Sequence, residues 1–223
     1  MEMEYRRAFV FPQQDPAWVK KWAIAGALSL VPVVGQILIA GYGVAIARRV
    51  INGASDSLPE WSDFGDYARQ GLSTLVIGLV YFLPLIVVSL CLAVPIAVVS
   101  AVSIRDSGGE QVLGLLGGCL CLFAVVYSLL AGMALMAALG RYAAGGELGA
   151  ALNVGEVLRL VRAKPGLYLM VLLVGGLGQF VLSLVGVIAC AVGAAWGGAY
   201  AQLAQAHLIG QAQRYQREAG AAQ

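Results

Sequence analysis

The stretch Trp22–Ala47, WAIAGALSLVPVVGQILIAGYGVAIA, decides how this chain is built. Its 26 residues include no Asp, Glu, Lys, Arg or His. At about 1.5 Å per helical residue that is long enough to cross a hydrocarbon core of ~30 Å. Yet Val31-Pro32-Val33-Val34-Gly35 lies at its centre, where Pro32 supplies no backbone donor and Gly35 tolerates a turn. Two readings follow. Either the run is one kinked span, or the half-helices Trp22–Val31 and Gly35–Ala47 enter the membrane and return on the same side, with Pro32 and Gly35 forming the turn.

Three more uncharged runs lie downstream, Gln70–Ile104, Gln111–Gly140 and Pro165–Ala206, of 35, 30 and 42 residues. The chain is 60% hydrophobic and only 12% charged, about half the charge of a soluble protein. This composition excludes a soluble enzyme, a DNA-binding domain and a disordered tail. The fold class it implies is all-α, a polytopic membrane helical bundle.

The basic residues between the runs discriminate between the two readings. A full first span with the N-terminus inside puts five Lys and Arg inside and nine outside, against the positive-inside bias. Making the second run the hairpin, at Pro84 and Pro95, gives ten and four. A re-entrant first run collects 13 of the 14 on one face and leaves only Arg105 on the other. The bias favours the re-entrant hairpin, and a Pro-kinked span stays open. A broken backbone at membrane depth also needs other helices around it.

On this reading residues 1–21 form a cytoplasmic N-terminal segment, 22–210 one transmembrane domain and 211–223 a cytoplasmic tail. The domain comprises a re-entrant hairpin over 22–47, an amphipathic helix over 57–70, spans over 71–104 and 111–140, a second amphipathic helix over 150–164, and a two-span hairpin over 166–210. That makes four full spans. In the first amphipathic segment Asp56 or Ser57 caps and Pro59 occupies the first turn. Trp61, Phe64 and Ala68 then share one face, with Trp61 and Phe64 as interfacial anchors on the inner leaflet. In the second, Val154, Val157, Leu158 and Val161 oppose Asn153, Glu156, Arg159 and Arg162. The turn of the last hairpin is expected around Gln179–Gly186. The order of apolar run, surface helix and span occurs twice, with Gly71-Leu72 matching Gly166-Leu167, which suggests a weak internal repeat.

No Asp, Glu, Lys, Arg or His lies inside the runs, which counts against ion-coupled transport, proton pumping and voltage sensing. Gln36, Tyr42, Tyr81, Ser89, Tyr127, Ser128, Gln179, Ser183 and Gln202 read as interhelical hydrogen-bonding groups, with a narrow polar path as the alternative. Cys91, Cys119, Cys121 and Cys190 read as small apolar packing residues, and Cys119 and Cys121 point in nearly opposite directions on a helix. His207, the one histidine, reads as a solvated residue near a helix end. No catalytic, cofactor-binding or metal site is predicted. A net charge of +2, with no basic stripe, makes nucleic acid an improbable partner, and the N-terminus carries no cleavable signal pattern. Ala189, Gly193, Gly197 and Ala201 recur every four residues, and Gly114 and Gly118 form a GxxxG, so close helix packing is expected, within the chain or between subunits.

Several strings resemble a family of prokaryotic integral membrane proteins, domain of unknown function 4013. They are Leu30-Val31-Pro32-Val33-Val34-Gly35, Gly41-Tyr42, the pair Arg48-Arg49, Gly53, the string LPEWSDF at Leu58–Phe64, Gly71 and Tyr81-Phe82-Leu83-Pro84. Tyr200, Ala206-His207-Leu208 and Gly210-Gln211 look like the same family's C-terminal end. The resemblance implies a multispanning protein of a bacterial or archaeal membrane and supplies no activity or site residues. The expected role is that of a non-enzymatic accessory, scaffold or oligomer-forming subunit. The alternative is a small transporter or channel for a neutral or hydrophobic solute. The expected partners are the lipid bilayer and either a second copy or a larger membrane complex. The expected location is the cytoplasmic (inner) membrane of a prokaryote, with both termini cytoplasmic.

Overall fold

The computed structural model describes residues 5–54, 57–103, 109–189 and 193–221, and among these no strand occurs. The elements are α1 (Tyr5–Val10), a 3-10 turn at Phe11–Gln14, α2 (Trp18–Ser29), α3 (Val34–Ile51), α4 (Phe64–Ser103), α5 (Gly109–Gly145), α6 (Leu148–Leu152), α7 (Val154–Ala163), α8 (Pro165–Ala189) and α9 (Gly193–Ala221). The protein is an all-α polytopic bundle. Four helical stretches are long and apolar enough to cross a membrane: Val34–Ile51, Phe64–Pro95, Gly114–Gly145 and Pro165–Ile188. The chain forms two compact units, one of Met1–Ile77 with Met133–Gln223, the other of Gly78–Gly132.

The first run breaks at its Pro-Val centre. α2 ends at Ser29, the Val31 amide donates to Leu28 O at 2.9 Å, and the Val34 amide donates to Pro32 O at 2.7 Å. Val33 between them has φ +64° and ψ −65°, a tight three-residue turn that a β-branched side chain rarely adopts. The chain then doubles back. A Cβ on Gly35 would overlap the Leu28 carbonyl, and Gln36 Nε2 donates to Ser29 O at 3.4 Å. α2 and α3 are therefore an antiparallel helical hairpin.

Three sequence expectations differ from the structure. No helix covers 57–63; α4 starts at Phe64 and continues past Gly71, with Pro84 and Pro95 inside it. The reason is that the backbone groups of Leu58–Glu60 are taken by side chains from elsewhere in the fold, so that segment has no need of helical hydrogen bonds. The helix expected over 150–164 is two helices, because the Asn153 side chain accepts the Glu156 amide and caps α7 afresh. The turn expected at Gln179–Gly186 is helical, since Gln179 Nε2 is satisfied within α8 by Ser183 Oγ at 3.1 Å. The connection falls at 190–192, outside the described residues, as does most of the Asp106–Gly109 turn.

α8 and α9 pack antiparallel in one constant register. Gly186 lies against Gly193, Leu182 O against Gly197, Gly175 against the Gln205 side chain, and Lys164 Nζ sits 4.2 Å above the Tyr215 ring. α9 thus runs beside α8 from Gly193 to Tyr215, although it is not among the strongly apolar stretches. Its composition follows from burial: Ala199, Leu203, Ala204, His207 and Leu208 face protein on all sides. α3 runs parallel to α9, with Gly43 on Ala206 and Gly210 on Ala47 and Val50, while α2 meets the start of α9 through Gly26 and Trp196. Both hairpins of this unit therefore close at one end. The other end carries Arg48, Arg141, Lys164 and Arg217, with Arg48 Nε donating to Ala143 O and Arg217 Nη2 to Ala144 O.

α3 and α4 touch through a reciprocal glycine pair. A Cβ on Gly41 would overlap the Tyr67 carbonyl, and one on Gly71 would overlap Ile37 O. Gly166 has nothing within 4 Å, so the matching dipeptides Gly71-Leu72 and Gly166-Leu167 do not play equivalent packing roles. Within the unit Gly78–Gly132, Tyr127 Oη donates to Tyr81 O at 2.8 Å and stacks on Phe123 at 5.7 Å.

Candidate functional site

The most densely built polar constellation joins the N-terminal segment, the base of the α2–α3 hairpin and the loop before α4. The Lys21 ammonium lies 2.8 Å from Asp15 Oδ2 and 2.5 Å from Glu60 Oε1, and donates to Leu58 O at 2.9 Å. The Asp15 carboxylate also accepts the amides of Ala17 at 2.7 Å and Leu58 at 2.9 Å. Asp15 and Lys21 are 3% and 4% exposed, so each charge is held by partners rather than by water. Burial pulls the Asp15 pKa upward, but the Lys21 ammonium and the two amides outweigh it and hold the carboxyl below its ordinary value. Burial likewise opposes charge on Lys21, and the Asp15 and Glu60 carboxylates overcome it, so its pKa is raised.

An aromatic lock lies on the same loop. Trp61 stacks on Tyr42 at 4.0 Å and nearly parallel, and Tyr67 meets Tyr42 edge-on at 5.4 Å. Tyr42 Oη donates to Pro59 O at 2.8 Å, Tyr67 Oη to Glu60 O at 2.6 Å and Trp61 Nε1 to Lys21 O at 3.0 Å. Every polar atom in this list closes on another part of the chain. The constellation is a clasp that holds the hairpin against α4.

A groove of about 280 Å³ lies between α3, α4, α5 and α9. Its walls are mostly apolar, from Ile39, Val44, Leu139 and Ile209, with Thr74 and the amides of Gln202 and Gln205 as polar points. Gln205 Nε2 rests 3.1 Å from Met136 Sδ. Among the described residues no cluster of His, Cys, Asp and Glu could hold a metal ion.

The predicted site residues are distributed as follows. Pro32 and Gly35 form the hairpin turn, as described above. Trp61 is half-buried in the clasp, and Phe64, stacked on it at 5.9 Å, is 44% exposed. Gly193 and Gly197 pack on α8 within the same chain, and Ala201 is buried; the side chain of Ala189 lies outside the described residues. Gly114 and Gly118 have nothing within 4 Å. Two further expectations are corrected. Cys91, Cys119 and Cys121 are exposed rather than packed, because they sit on outward faces of α4 and α5. His207 is 1% exposed and stacks on Phe11 at 4.3 Å, with the Gln211 amide 3.1 Å from Nδ1. The N-terminal segment brings Phe11 down onto α9, and that covers the histidine.

The family described as Protein of unknown function (DUF4013) matches residues 24–191. The chain belongs to this family. The DUF4013 match takes in the hairpin turn, Tyr42, the Leu58–Trp61 half of the clasp and all of α4 to α8. Asp15 and Lys21 precede the match, and α9 follows it. No curated protein and no solved structure matches the chain. Reading the sequence missed Asp15 and Lys21, which look like ordinary charges flanking an apolar run. The one available signal was the Asp15-Pro16 pair, a turn-forming dipeptide that begins five residues ahead of the basic pair Lys20-Lys21.

Proposed function

We propose that this DUF4013 protein is a non-enzymatic multispanning subunit of a prokaryotic cytoplasmic membrane that acts by packing against a second copy or a partner in a larger membrane complex. The α2–α3 hairpin enters and leaves the bilayer on the cytoplasmic side, and both termini are cytoplasmic. The gathering of Lys and Arg at the end opposite the two hairpin turns supports that orientation.

One observation carries the packing role. The charged groups of the clasp are consumed in holding the fold, whereas Gly114, Gly117 and Gly118 on α5 have nothing within 4 Å. Leu115, Leu122 and Val125 beside them are 72%, 67% and 67% exposed. A helix face with bare backbone and large apolar flanks is the surface on which transmembrane helices associate. The native Cys119, exposed and adjacent to Gly118, provides the assay. Mild oxidation of native membranes is expected to give a cross-linked species that Cys119→Ser abolishes and Gly118→Leu weakens. A chain that stays monomeric under oxidation, and is purified alone from native membranes, contradicts the reading.

A further inference from the structure

We propose that the groove between α3, α4, α5 and α9 holds one acyl chain of an anionic phospholipid, with the headgroup at the Arg48 end. The inference rests on the membrane topology proposed above, and its test is separable because lipid retention is read on the purified chain. The groove runs from Ile39 to Ala47 along α3, about 12 Å of helix. That is close to one leaflet's share of a hydrocarbon core of ~30 Å. Its lining is mostly apolar, with Thr74, Gln202 and Gln205 as the polar points. A mostly apolar channel of this kind suits a chain of methylenes better than a polar solute.

The charge at one end selects the headgroup. Ala47 ends the lining on α3 and Arg48 follows it directly. Arg48 is half-buried, spends its Nε on Ala143 O, and has no carboxylate partner among the described residues. Arg217, exposed on α9, donates to the neighbouring Ala144 O and likewise has no carboxylate partner among the described residues. Two guanidinium groups above an apolar slot present the fork that binds a phosphate.

Gly43 makes a clean probe, since a Cβ there meets only Ala206 Cβ at 3.5 Å, an ordinary contact. Gly43→Leu therefore starts from an ordinary Cβ contact and carries its remaining carbons toward the slot that Gly43 lines. The purified protein is placed in nanodiscs of equal phosphatidylglycerol and phosphatidylcholine, and the lipid released with the chain is counted by native mass spectrometry. The expected result is about one retained phosphatidylglycerol per chain, lost in Gly43→Leu. Arg48→Gln is expected to lower the preference for phosphatidylglycerol about fivefold while a chain is still retained. Circular dichroism checks that each variant is folded, and Ala40→Leu, filling the same groove from α3, replaces any variant that is not. Undiminished lipid in a folded groove-filled variant overturns the proposal. So does equal retention of phosphatidylcholine, or recovery of a polypeptide or an uncharged molecule in the lipid's place.

Discussion

Asp15 and Lys21, six residues apart and separated by the start of α2, form an ion pair of 2.8 Å that is closed off from water and also grips both backbone groups of Leu58. This pair ties the N-terminal segment to the loop that leads into α4. Removing one partner leaves an uncompensated buried charge. Lys21→Met should therefore lower unfolding stability in detergent by about 3–5 kcal/mol. The double variant Asp15→Leu with Lys21→Met should recover a large part of that loss, as read by thermal unfolding in micelles.

The pH dependence follows from the two directions. Asp15 is held below its ordinary value of 3.8, so its contribution is present above that pH and is lost as pH falls through the folded value. Lys21 is raised above 10.5, so its contribution is complete below 10.5 and is lost as pH rises through the folded value. The contribution of the pair should be flat between these limits and collapse at both extremes. Subtracting the stability curve of the double variant from that of the wild type isolates it.

The reciprocal contact of Gly41 and Gly71 admits no side chain. Gly41→Ala should cost about 1–3 kcal/mol by forcing α3 away from α4. Gly117→Ala, on a helix face with nothing within 4 Å, should instead stabilise the isolated chain by up to about 1 kcal/mol through helix propensity. Equal effects of the two substitutions on the melting temperature would contradict the packing described.

Val33 sits at φ +64° in the hairpin turn, where a valine is strained. Val33→Gly should relieve the strain and raise stability by about 1 kcal/mol, whereas Pro32→Ala should have the smaller effect, because the turn is closed by the Pro32 carbonyl that alanine retains. A destabilised Val33→Gly protein, measured by the same thermal assay, would show that the turn is not strained.

Much of this fold was legible in the residues. Pro32 and Gly35 marked the break, because a missing donor and a missing Cβ are local properties that the sequence states directly. The charge asymmetry favoured the hairpin, because Lys and Arg are counted without knowing contacts. What stayed hidden depended on tertiary partners. Nothing in Leu58-Pro59-Glu60 announces that Asp15, Lys21, Tyr42 and Tyr67 will take its hydrogen bonds, so its helical cap signals misled. Gln179 and Ser183 resembled turn residues because their mutual bond at four-residue spacing appears only once they are helical. The burial of His207 followed from Phe11, 196 residues away in the chain, and the groove from four helices meeting.

The same-side return of the first apolar run is open to side-specific labelling. In a background with the four native cysteines replaced by serine, single cysteines at Ser57, Gly109 and Gln223 are exposed to a membrane-impermeant maleimide in intact cells and in inverted vesicles. Ser57 and Gln223 are expected to label only from the cytoplasmic side, the side of an N-terminal tag, and Gly109 only from the other. Labelling of Ser57 from the side opposite the N-terminus would make Trp22–Ala47 a single span and rule out the re-entrant hairpin.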